Sequence, residues 1–93
     1  MTTTSATSQF SLPVFNINGT SARAIEDEYS EVLKAICIAE QLLTSATCHA
    51  RDFHTQPREC YEKARDQRMQ MLQNLWQVHD YIESWYWHAV DAQ

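Results

Sequence analysis

The chain has 93 residues, a formal charge of -5, a pI near 5.2, one Gly and two Pro. That length makes a single small domain with a modest core, and so few turn formers exclude a turn-rich β fold in favour of helices with few connections. The acidic balance argues against direct binding of nucleic acid or an anionic membrane, since both need a basic face.

Residues 1–9, MTTTSATSQ, are polar and without periodicity, and read as a disordered tail. Residues 10–19 form an arm in which Phe10, Leu12, Val14, Phe15 and Ile17 are too many large apolar groups for a free segment. Pro13 disfavours helix there, so the arm is expected to be extended and docked, with Asn18-Gly19 as the turn that ends it. A first helix is expected over residues 20–47, capped by Thr20 or Ser21. Ile25, Tyr29, Val32, Ile36, Ala39 and Leu43 recur every three or four residues and mark its seam. Its later half is apolar nearly all round. Ile38 lies about 200° from Ile36 at ~100° per residue, so one partner helix cannot cover both.

Residues 48–56 make a connection that is long for a simple helix–helix turn. Pro57 suits the first position of a second helix, expected over residues 57–90 and roughly 50 Å long at about 1.5 Å per residue. Tyr61, Ala64, Arg68, Met71, Leu75, Val78, Ile82, Trp85 and Ala89 give its seam the same period. The fold class is therefore all-α, with residues 10–93 forming an antiparallel two-helix hairpin and an extended N-terminal arm. The longer second helix overhangs at its aromatic end, where the arm begins. Phe10, Phe15 and Ile17 are expected to pack on Trp85 or Tyr86. With no third long helix to cover the remaining apolar surface, the hairpin is expected to form a homodimer, as a helical bundle.

Candidate chemistry is sparse. Cys48, His49, His54 and Cys60 bring two thiols and two imidazoles into and beside the connection, the ligand types zinc uses. Their spacing lacks the C-x₂₋₄-C and H-x₃₋₅-H knuckles of zinc folds, so no metal is assigned and a zinc-stabilised hairpin stands as an alternative. No strained nucleophile turn or glycine-rich phosphate loop is present, and neither enzymatic activity nor a cofactor is expected. Five of the seven basic residues, from Arg51 to Arg68, share the middle of the chain with four acids. Arg51, Arg65 and Arg68 could there hold an anionic ligand such as a nucleotide between subunits. Arg68 is the charged member of the second seam, and its simplest role is to run its stem along apolar surface and pair with an acid such as Glu40. Trp76, Tyr81 and Trp87 cannot all enter one seam and are candidates for a partner surface. The acidic cluster Glu26, Asp27, Glu28 and Glu31 is a second candidate, able to mimic a nucleic-acid backbone toward a basic protein. Three cysteines without a close-spaced pair, after a polar N-terminus that lacks a signal-peptide pattern, suggest reduced thiols in a cytoplasm. No apolar run approaches the ~20 residues of a membrane span.

Residues 50–72, ARDFHTQPRECYEKARDQRMQML, resemble a motif of small uncharacterised phage and prophage proteins, in which an Ala-Arg-Asp-aromatic loop leads through Gln and Pro into a helix with spaced Ala and Arg. The matching residues are Ala50, Arg51, Asp52, Phe53, Gln56, Pro57, Ala64 and Arg68, while His54 and Arg58 depart from the pattern. The resemblance implies no activity. It implies an accessory protein of phage type in a bacterial cytoplasm, and such a protein is expected to act by occupying a surface on a host defence or regulatory protein, whether to inhibit or to recruit it. Within the loop, Asp52 is expected to cap the chain, Arg51 to pair with Glu59 or Glu62, and Phe53 to plug the end of the hairpin.

Overall fold

The computed structural model describes residues 9–93, so nearly all of the expected tail lies outside the described residues. Two α-helices, α1 (Ala22–Ser45) and α2 (Arg58–Asp91), flank one 3₁₀ turn at Ala50–Phe53, and no strand occurs among the described residues. None of these helices is long and apolar enough to cross a membrane.

Ser21 caps α1, its Oγ accepting from the Ala24 N–H at 3.1 Å, so the helix starts two residues later than expected. Its end also comes early. Thr44 folds its hydroxyl back on the Glu40 carbonyl at 2.7 Å, and Ala46 turns extended at φ -65°, ψ 142°. The chain's single glycine is Gly19, far from this end, so a left-handed glycine cap is not available. Arg68 of α2 supplies the cap. Its Nη2 reaches the carbonyls of Leu43, Thr44 and Ala46, at 2.6 Å to Leu43 and 3.0 Å to Ala46. The expected pairing of Arg68 with Glu40 is therefore replaced. Glu40 pairs with His79, and Arg68 places its charge on the negative end of the α1 dipole. Pro57 stands at the α2 cap position, one residue before the helix, and its carbonyl accepts from the Cys60 N–H at 2.9 Å.

The cross-contacts run in opposite order along the two helices, the mark of an antiparallel hairpin. Gln93 donates to Glu26, Trp85 stacks on Tyr29, His79 meets Glu40, and Arg68 caps α1. The molecule measures 62 × 27 × 20 Å with a radius of gyration of 18.7 Å, against about 12 Å for a compact chain of this length. Such a rod has little interior. Leu72, Ile82 and Ala89 are buried, all of them on α2.

The seams differ from expectation at four places. On α1 Leu33 and Glu40 turn inward while Val32 and Ala39 are exposed; on α2 Leu72 and His79 turn inward while Met71 and Val78 are exposed. An apolar-only reading of period cannot choose a polar pair, and once Glu40 and His79 occupy the interface their neighbours rotate with them.

The arm docks along the C-terminal half of α2 in a different register from that expected. Phe10 sets its edge on Tyr81 at 5.2 Å, and Phe15 stacks on His88 at 5.4 Å, instead of either ring meeting Trp85 or Tyr86. His88 Nε2 holds the arm backbone by donating to the Pro13 carbonyl at 2.6 Å. Ile17 is 96% exposed because the chain already turns away there, with Asn16 accepting from the N–H groups of Asn18 and Gly19.

Candidate functional site

Helix α1 shows one face to α2 and leaves its outer face bare. The expected overhang of α2 at its aromatic end is not found: Gln93 reaches back to Glu26 and Arg68 already lies at the end of α1, so the extra length of α2 is at its start. Where α1 meets the C-terminal end of α2, Leu33, Cys37, Ile38, Tyr86 and Trp87 line an open groove of about 640 Å³, together with Ser30 and Lys34. Ile38 is 57% exposed, Leu42 67% and Trp87 53%, so an apolar ridge continues the groove along α1. Large exposed side chains gathered on one face mark contact surfaces more often than scattered ones do.

Beside the groove lies the polar centre of the hairpin. His79 Nδ1 donates to Glu40 at 2.9 Å, and its Nε2 lies 3.4 Å from Glu83 one turn along α2. Burial alone would lower the His79 pKa, but the hydrogen bond and charge of Glu40, followed by those of Glu83, outweigh it and raise the pKa above the ordinary histidine value. Ligand-type atoms of Cys37, Glu40 and His79 all lie within 4.8 Å of one another, and all three residues are half-buried.

The loop ligands weighed from sequence do not gather. No three of Cys48, His49, His54 and Cys60 come within metal-ligand reach of one another. His49 caps the 3₁₀ turn instead, its Nδ1 accepting from the Arg51 N–H at 3.1 Å, the role expected of Asp52. His54 Nδ1 contacts the Arg51 carbonyl at 2.9 Å. Phe53 packs 6.0 Å from Tyr61, and a cleft of about 350 Å³ beside it is lined by Ala50, His54, Gln56 and Arg58. The ion pair beside it is Arg58 with Glu62 at 3.3 Å, rather than Arg51 with either glutamate.

The three arginines considered for an anion have separate surroundings. Arg51 is exposed, Arg65 sits over the Tyr61 ring at 6.0 Å and beside Asp66 at 3.5 Å, and Arg68 is committed to the end of α1. Among the aromatic candidates, Trp76 is 47% exposed and Trp87 borders the groove. Tyr81 is different: it carries Phe10 on one side and Trp85 on the other, at 6.1 Å, so it anchors the arm. Trp85 in turn stacks on Tyr29 at 5.1 Å and 6°. Burial, then hydrogen bonding to Tyr81, holds the Tyr29 hydroxyl above its usual pKa and protonated. In the acidic cluster, Asp27 and Glu28 are exposed, Glu31 pairs with Lys34 at 3.0 Å, and half-buried Glu26 accepts from Gln93.

Sequence reasoning passed over Cys37, Glu40 and His79 because it sought ligands close together along the chain. A better signal was available in the seams. Cys37 and Glu40 are one turn apart on α1, His79 and Glu83 one turn apart on α2, and each pair interrupts an apolar stripe. Compared with known protein families, curated proteins and solved structures, the chain matches none.

Proposed function

We propose that this chain is a non-catalytic interaction protein of phage accessory type, working as a homodimer in a bacterial cytoplasm by occupying a surface of a host defence or regulatory protein. The apolar groove and ridge on the outer face of α1 support this reading. Among the described residues no further helix is left to cover Leu33, Ile38, Leu42 and Trp87. A second copy suits them because α1 carries both a ridge and a groove, as a two-fold interface requires of a single surface. Pairing two hairpins there makes a four-helix bundle. It leaves Trp76 and the acidic residues Asp27, Glu28 and Glu31 at the surface for the host protein, whose matching face is basic and carries a pocket for the indole.

Two variants separate the layers of this reading. Ile38→Glu with Trp87→Ala halves the mass seen by light scattering, from twice 10.8 kDa to one chain of 10.8 kDa. Trp76→Ala with Glu28→Lys leaves the mass and the helicity unchanged and removes capture of the bacterial partner that the unaltered protein retains. A monomeric parent protein overturns the dimer, and capture unaffected by the second variant overturns the partner surface.

A further inference from the structure

We propose that Cys37, Glu40 and His79 form a Zn²⁺ site that ties α1 to α2, with Glu83 as the positioning residue behind His79. The donor set is a thiolate, a carboxylate and an imidazole. That mixture suits zinc, while magnesium and calcium take oxygen ligands. Three protein ligands leave a fourth tetrahedral position for water or for a side chain entering from the groove.

The geometry carries the proposal. The three donors come from two helices and already lie within 4.8 Å of one another. Bonds of about 2.0–2.3 Å to zinc place tetrahedral ligand atoms ~3.3–3.8 Å apart, so the donors need to move by no more than a rotamer adjustment. Glu40 oxygens stand 2.9 and 3.1 Å from His79 Nδ1, and opening that contact by a few tenths of an ångström admits the ion between them. With Nδ1 on the metal, Nε2–H points at Glu83, now 3.4 Å away. A carboxylate behind a ligating histidine is the usual outer partner at zinc, fixing the tautomer and the ring orientation. The entry path is also present, because Cys37 is half-buried and lines the open groove.

On binding, the Cys37 Sγ–H bond gives its proton to water and the thiolate bonds to zinc. His79 binds through Nδ1 and keeps Nε2–H, so a second proton leaves to water wherever its imidazole was protonated and none where it was neutral. What the ion supplies is a cross-link at the middle of a hairpin whose buried apolar residues are Leu72, Ile82 and Ala89. An ion that binds only the folded hairpin adds its binding free energy to the stability of so slight a core.

The test is a Co²⁺ and Zn²⁺ titration of the full chain, stripped with chelator and kept reduced. The expected result is one ion per chain, a thiolate-to-cobalt charge-transfer band with strong visible bands of a tetrahedral ion, and a higher melting temperature with Zn²⁺. Cys37→Ser removes the charge-transfer band and His79→Gln lowers affinity at least about tenfold. Glu83→Gln weakens binding about 10–100-fold while keeping the band, which a purely structural role for Glu83 would not do. Cys48→Ser, Cys60→Ser and His54→Gln bind as the unaltered chain does. Circular dichroism of each metal-free variant checks that the helices persist. No cobalt spectrum in the unaltered chain, a charge-transfer band surviving Cys37→Ser, or its loss in Cys60→Ser overturns the site.

Discussion

Arg68 shows how one side chain can replace a sequence motif. Many helix ends satisfy their last carbonyls with a glycine in the left-handed region, and here a cation from the neighbouring helix does so at three carbonyls. Charge-assisted bonds at a helix C-terminus contribute up to about 2 kcal/mol when partly shielded. Arg68→Met keeps an apolar stem and removes the donors, and should lower unfolding stability by about 1–2 kcal/mol in a urea titration, with fraying at Leu43–Ala46 seen by amide exchange. Arg68→Lys should recover part of that loss, since Nη2 alone makes all three contacts. His79 makes the second residue-scale prediction, for protein kept in chelator. It faces Glu40 on α1 and Glu83 on its own helix, with Cys37 nearby, and its folded pKa is raised. Folding therefore takes up protons as pH falls. The stabilisation is complete below the unfolded value of about 6.5 and fades as pH rises through the higher folded value. His79→Gln should flatten this part of the pH–stability curve, measured as denaturation midpoints across that range. An unchanged slope would mean that the pair contributes nothing to pH dependence.

At the scale of elements, the arm lies along α2 through two ring contacts that differ sharply from its exposed residues. Phe10 and Phe15 each meet an aromatic or imidazole ring, whereas Ile17 and Val14 are 96% and 85% exposed. Removing the Phe10 ring deletes an edge-to-face pair and the cover it gives Tyr81, a loss of about 2 kcal/mol. Ile17→Ala should stay within about 0.5 kcal/mol of the parent. Urea titrations followed by far-ultraviolet circular dichroism report the difference as a shift of midpoint. The two helices and their connection were legible from periodicity, Pro57 and the capping serine. The interface register was not. Val32 against Leu33, and Met71 against Leu72, are equal choices to a rule that counts apolar groups, and the deciding residues are Glu40 and His79, which that rule skips. The arm register had the same cause: Trp85 attracted the prediction by size, but its face is already taken by Tyr29.

For the whole molecule, an elongated shape and a slight core argue that folding and association are coupled. Two helices packed along one face bury apolar groups on that face alone, and a rod with dimensions of 62 × 27 × 20 Å keeps a high share of its surface in water. Of the exposed groups, Ile38 and Leu42 lie one turn apart on α1 and so form a continuous ridge. If this ridge packs against a second copy, unfolding releases two chains and stability acquires a concentration term. A tenfold rise in protein concentration then adds about 1.4 kcal/mol per dimer. Spread over the unfolding entropy of two chains of this length, that is about 3–4 °C in melting temperature. A monomer shows no such shift. Ile38→Glu with Leu42→Glu places charges on the ridge without touching Leu72, Ile82 or Ala89 of the core. It should remove the concentration dependence while leaving far-ultraviolet helicity largely intact at high protein concentration. Melts of both proteins over a hundredfold range of concentration decide the point. A parent melting temperature that does not move with concentration would show that the hairpin is stable alone, and the ridge would then be free for a different protein.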